Sequence, residues 1–60
     1  MSAFVRVTEA ERSKDVFINP ALVRSVQEIP GGSQITFADG KTLVVKDPVS
    51  IVVTALQGAK

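Results

Sequence analysis

The sequence predicts an α+β fold, a small antiparallel β-sheet of about five short strands arranged as a meander with one C-terminal helix packed on it. Three observations carry that reading. Short β-rich runs recur from Phe4 to Lys46, each bounded by polar or Gly/Pro-containing stretches. Ala38-Asp39-Gly40 sits between two such runs as a hairpin turn. Beyond Asp47-Pro48 the apolar spacing changes to i, i+3, i+4 and i+7, the period of a helix. Sixty residues make one domain, 1–60.

Phe4-Val5-Arg6-Val7-Thr8 alternates, with Val5 and Val7 on one face and Arg6 and Thr8 on the other, and reads as the first strand. The next seven residues, Glu9 to Asp15, hold five charges and no large apolar group, which suits a solvated turn. Val16-Phe17-Ile18 resumes β-rich composition and pairs with the first strand as a hairpin.

Asn19 to Ile29 admits two readings. Asn19 could cap a helix with Pro20 at its first position, since Leu22, Val23, Val26 and Ile29 lie at helical spacing. Alternatively, a single turn at Asn19 to Leu22 leads into a strand from Val23 to Ile29, ended by Pro30-Gly31-Gly32. The strand reading is preferred because a helix here would leave the neighbouring strands with fewer partners.

Register decides the following hairpin. A two-residue Asp39-Gly40 turn would set Thr36 against Leu43 and Ile35 against Val44, mixing polar and apolar groups on both faces. A three-residue loop, Ala38-Asp39-Gly40 with Gly40 left-handed in a bulge, sets Ile35 opposite Leu43 instead. Ile35, Phe37, Leu43 and Val45 then share one face, and Gln34, Thr36, Thr42, Val44 and Lys46 the other. Asp47 follows as a helix cap with Pro48 in the first turn. Val49, Val52, Val53 and Leu56 form the apolar stripe expected to cover Ile35, Phe37, Leu43 and Val45, and Gly58 is the stop signal. Five β-branched residues between Val49 and Thr54 weaken the intrinsic helix preference, so packing on the sheet must hold this element.

Composition narrows the chemistry. There is no Cys and no His, which excludes a disulfide framework and a zinc site of thiolate or imidazole ligands. Apolar content of 45% is that of a folded domain. A net charge of +1 gives no strong field toward nucleic acid or anionic membrane. The start, Met-Ser-Ala-Phe-Val-Arg-Val, lacks the pattern of a signal peptide, and no apolar run nears the roughly 20 residues that span a bilayer, so a cytoplasmic protein is expected.

Catalytic residues are not expected. Nucleophilic catalysis needs an activated group beside a base, and Ser13, Ser25, Ser33 and Ser50 have turn, strand-surface and helix-start explanations. The carboxylates of Glu9, Glu11, Glu28, Asp39 and Asp47 likewise fit loop, strand-edge, turn and cap roles. Gly31, Gly32 and Gly40 read as turn glycines rather than a phosphate cradle. No cofactor, metal or small-molecule substrate is indicated, and the chain reads as a binding module rather than an enzyme.

Two partner classes remain. On the helix wheel Ile51 points away from the apolar stripe with Ala55 beside it, and Val44 lies on the polar sheet face. These three mark a candidate interaction surface for a homo-oligomer or a protein partner, and a domain this small without staples gains from association. Arg6, Arg12, Lys14 and Arg24 could instead converge on nucleic acid, although basic residues interleaved with stacking aromatics are not evident.

Asn19-Pro20 as a turn, Leu22, Val23 and Val26 as apolar positions, Gln34-Ile35-Thr36-Phe37 as a Thr-Ile strand, Asp39-Gly40-Lys41 as a hairpin, and Val44-Val45-Lys46-Asp47 with Val49 and Val53 form one ordered pattern. From Phe17 to Leu56 this pattern resembles the small flagellar FlbD/SwrD family. The resemblance implies an accessory or regulatory role tied to motility and carries over no catalytic residue. EAERSKD stands where that family has a short Asn-Gly loop, and Pro30-Gly31-Gly32 where it has a Pro-Asp-Thr corner. From Asn19 through Leu56 the chain is also similar to the LytTR-type DNA-binding β-domain, which implies the nucleic-acid alternative.

Overall fold

The computed structural model describes residues 4–58; Met1 to Ala3, part of the start inspected for a targeting signal, lie outside them. Strands β1 (Val5–Thr8) and β2 (Asp15–Ile18) form the N-terminal hairpin, with Val7 opposite Val16 and Arg6 opposite Phe17. Alternation acts as predicted: Val5 and Val7 are buried and Arg6 is exposed. The charged loop between the strands is organised by the Glu9 carboxylate, which accepts the Glu11 and Arg12 N–H groups, each at 2.8 Å.

Pro20–Leu22 is a 3-10 turn, with the Asn19 side chain accepting from the Ala21 N–H at 3.0 Å. Strand β3 (Val23–Ile29) follows directly, so the strand reading of this segment holds. Part of its misleading helical spacing, the step from Val23 to Val26, comes from a β-bulge. Pairing passes from Val23 with Phe37 to Ser25 with Thr36, leaving Arg24 as the extra residue. Val23 and Val26, three apart, therefore both reach the core side, where each packs half-buried.

Strand β4 (Gly32–Phe37) returns through Pro30-Gly31, where Gly31 takes φ 86°, a backbone conformation that side chains disfavour. Strand β5 (Thr42–Val45) pairs with β4 in the bulged register, Ile35 opposite Leu43 and Gln34 opposite Val44. Gly40 sits at φ 91°, and the Phe37 N–H donates to the Lys41 carbonyl at 2.8 Å. The Asp39 carboxylate accepts the Lys41 N–H at 3.0 Å and fixes the loop.

The strands form two sheets, β1-β2 and β3-β4-β5. A bridge between Glu9 and Val45 joins them, flanked by Ala10 N–H to Val44 C=O at 2.9 Å and Lys46 N–H to Thr8 C=O at 2.8 Å. The predicted single meander is corrected in this respect, because β2 does not pair with β3 and the strands form two separate sheets, β1-β2 and β3-β4-β5, joined at this bridge. That arrangement has a physical cause: the apolar side of the N-terminal hairpin, Val5, Val7 and Ile18, needs a partner surface, and Ile35 and Val45 supply it.

Helix α1 (Val49–Gly58) packs on β3, β1 and β4, with Val52 buried among those five residues. Its stripe does not cover the whole predicted face. Ile35 and Val45 are under it with no exposure, whereas Phe37 and Leu43 are half-buried and line a groove that has no helix residue in its wall. The expected cap is corrected too. The Asp47 carboxylate accepts the Thr8 N–H at 2.7 Å, across the fold, while the Pro48 carbonyl receives the first helical bond from Val52 at 3.0 Å. Ser33, fully buried, donates its Oγ–H to the Asp47 carbonyl at 2.7 Å.

Candidate interaction surface

An open groove of about 420 Å³ lies on the part of the inward face that the helix leaves uncovered. Val16 and Ile18 of β2 form one wall. Leu22, Phe37 and Leu43 form the rest together with the hairpin residues Ala38, Asp39, Lys41 and Thr42. The lining is nearly all apolar, and the two charged side chains in it flank the β4–β5 turn. Among the described residues the two sheets are bridged only at Glu9–Val45, and the groove is lined by residues of both sheets and the turns beside them with none from the helix. An apolar concavity without convergent polar groups favours binding of apolar side chains over chemistry.

Beside the groove, on the outer face of the N-terminal hairpin, Phe4 and Phe17 are 64% and 65% exposed. Arg6 is the cross-strand neighbour of Phe17 and lies 3.9 Å from the Asp15 carboxylate. Both charges of that pair are largely solvated, so its contribution is small. Two of the three aromatic residues are thus outside the core.

The residues proposed from sequence are dispersed. Val44 is 41% exposed on the sheet face away from the core, as its register requires, and Ile51 is 57% exposed on the outer side of the helix. The core lies between them, so they do not form one patch. Ala55 is half-buried and packs against the core rather than standing beside Ile51 in solvent. Of the basic residues, Arg6, Arg12 and Lys14 are all exposed on the N-terminal hairpin, while Arg24 is exposed at the bulge of β3. Lys46 donates to the Ser13 hydroxyl and ties the charged loop to the end of β5.

Sequence reasoning missed the groove and the role of Ser33. The groove could not be read from periodicity, since it depends on where two hairpins part. Ser33 carried a detectable signal, a small polar residue at an inward position of β4, two residues before Ile35. Among the described residues there is no cluster of His, Cys, Asp or Glu able to hold a metal, and no helix is long and apolar enough to cross a membrane.

No match was found among curated proteins or among solved structures. A family model described as flagellar and swarming motility proteins, FlbD, matches residues 5–60, extending the likeness seen between Phe17 and Leu56 to the N-terminal hairpin. The chain belongs to the FlbD family of flagellar and swarming motility proteins.

Proposed function

We propose that this protein serves motility as a non-enzymatic interaction module of the cytoplasm that self-associates. One observation carries the reading: an apolar groove lies open beside the unpaired edge of β2, on a small domain that gains from burying such surface. Family membership supports the process, and the groove supports the interaction role. Solution mass by light scattering over a wide concentration range, at low and high salt, tests it. A dimer or larger assembly that persists in high salt is expected, because apolar burial is not screened. A monomer at every concentration overturns self-association.

A second reading is favoured by the placement of Phe4, Arg6 and Phe17 on one exposed sheet face, an arrangement suited to stacking unpaired bases beside a cation. It predicts salt-dependent retention on single-stranded nucleic acid that falls when Arg12 and Lys14 are neutralised. Retention that ignores salt and those two substitutions removes it.

A further inference from the structure

We infer that the free edge of β2 is the self-association surface, pairing antiparallel with β2 of a second copy; this rests on the self-association reading and adds its location and geometry. The argument begins with hydrogen-bond alternation. Glu9 N–H donates to Lys14 C=O at 2.8 Å, and in an antiparallel ladder every second pair repeats that exchange. Val7 with Val16 and Val5 with Ile18 are therefore the bonded pairs of the β1-β2 register. Asp15 and Phe17 then direct their N–H and C=O groups away from β1. Among the described residues no other strand lies on that side, since β1 is the sole neighbour of β2 there. Unpaired strand edges are templates for a further strand.

Parity and charge select the register. Only registers that oppose outward-directed residues make bonds, which leaves Asp15, Val16 or Phe17 on the two-fold axis. Centring on Asp15 sets two carboxylates face to face, a repulsive pair. Centring on Phe17 recruits Asn19, whose carbonyl already accepts from Leu22 at 3.0 Å and whose side chain caps the 3-10 turn. Centring on Val16 has neither defect. It opposes Asp15 with Phe17 of the second copy in two reciprocal bonded pairs. Each Asp15 keeps its Arg6, so the outer face carries alternating charges with no like pair opposed. On the inner face the two Val16 side chains meet in the close, non-bonded position and bring the two grooves together at the axis.

Sedimentation of the full chain over a concentration series, with the parent, Phe17→Pro and Ile51→Glu, tests this assignment. Proline at 17 removes the outward N–H and leaves the bonds to β1 in place, a substitution that edge strands accept. The dissociation constant is expected to rise roughly tenfold or more for Phe17→Pro, because the symmetry removes two bonds, and to stay unchanged for Ile51→Glu. Amide exchange of the parent provides a readout free of mutation: Phe17 and Asp15 N–H should be protected at dimeric concentrations and exchange freely on dilution. A parent dimer whose Phe17 amide exchanges freely overturns the edge pairing and leaves self-association standing. A parent that is monomeric throughout overturns both.

Discussion

At Asp47 two hydrogen bonds leave one residue toward different strands, the carboxylate to β1 and the carbonyl to Ser33 of β4. Removing the side chain strands the Thr8 N–H in a partly buried position, so Asp47→Ala should cost about 1–2 kcal/mol, while Asp47→Asn keeps an acceptor and should cost clearly less. Urea denaturation of the two variants measures the difference; equal losses would show that charge, not the bond, matters at this position. Gly32 is constrained for a different reason. A Cβ built there would lie 2.0 Å from the Val45 carbonyl oxygen, a backbone atom that cannot step aside. Gly32→Ala should destabilise by about 3 kcal/mol through overpacking. Gly58→Ala, with nothing within 4 Å, should be neutral or slightly stabilising in the same assay. A Gly32→Ala variant as stable as the parent would mean that the close approach of residues 45–46 to Gly32 is loose.

Among elements, the β4–β5 hairpin was the most legible and α1 with β3 the least. Hairpin register followed from keeping Ile35, Leu43 and Val45 on one face, a constraint contained within a dozen residues. In β3 the apolar spacing was ambiguous because the bulge at Arg24 converts a period of two into a step of three, and a bulge leaves no residue type as its mark. The helix was found from its period, yet Asp47 could not be recognised as serving β1, since its partner lies 39 positions away. Helix placement also separates two core positions that sequence alone treated alike. Ile35, fully buried beneath Val52, should lose roughly 2–5 kcal/mol on replacement by Ala, whereas Phe37→Ala should lose only about 2 kcal/mol, because its ring is partly exposed and lines the groove. Thermal melts of both variants check the order. A Phe37 variant that unfolds more readily than the Ile35 variant would place the centre of the core at the hairpin tip.

On the scale of the whole molecule, two small sheets share a core of six buried aliphatic residues drawn from β1, β2, β4, β5 and α1. Neither sheet buries its apolar side alone, so the domain should open as one unit. The Thr8 amide should accordingly exchange only through global unfolding, with the same protection as the amide of Ile35, despite its place near the chain end. Native-state hydrogen exchange reads this directly, and a Thr8 amide that exchanges much faster would make the N-terminal hairpin a separately opening unit. The groove was invisible in the sequence for a reason of the same scale: it is an absence of packing between hairpins, and no residue pattern encodes where two sheets stop touching. The Thr8–Asp47 bond also bears on how the chain is made. The N-terminal hairpin is synthesised before β5 and Asp47, yet its seat requires that carboxylate 39 residues later together with β5 on its flank. The hairpin therefore emerges before the segments that seat it, and during that interval its apolar side and its free edge are both open to whatever chaperone or sister chain is near.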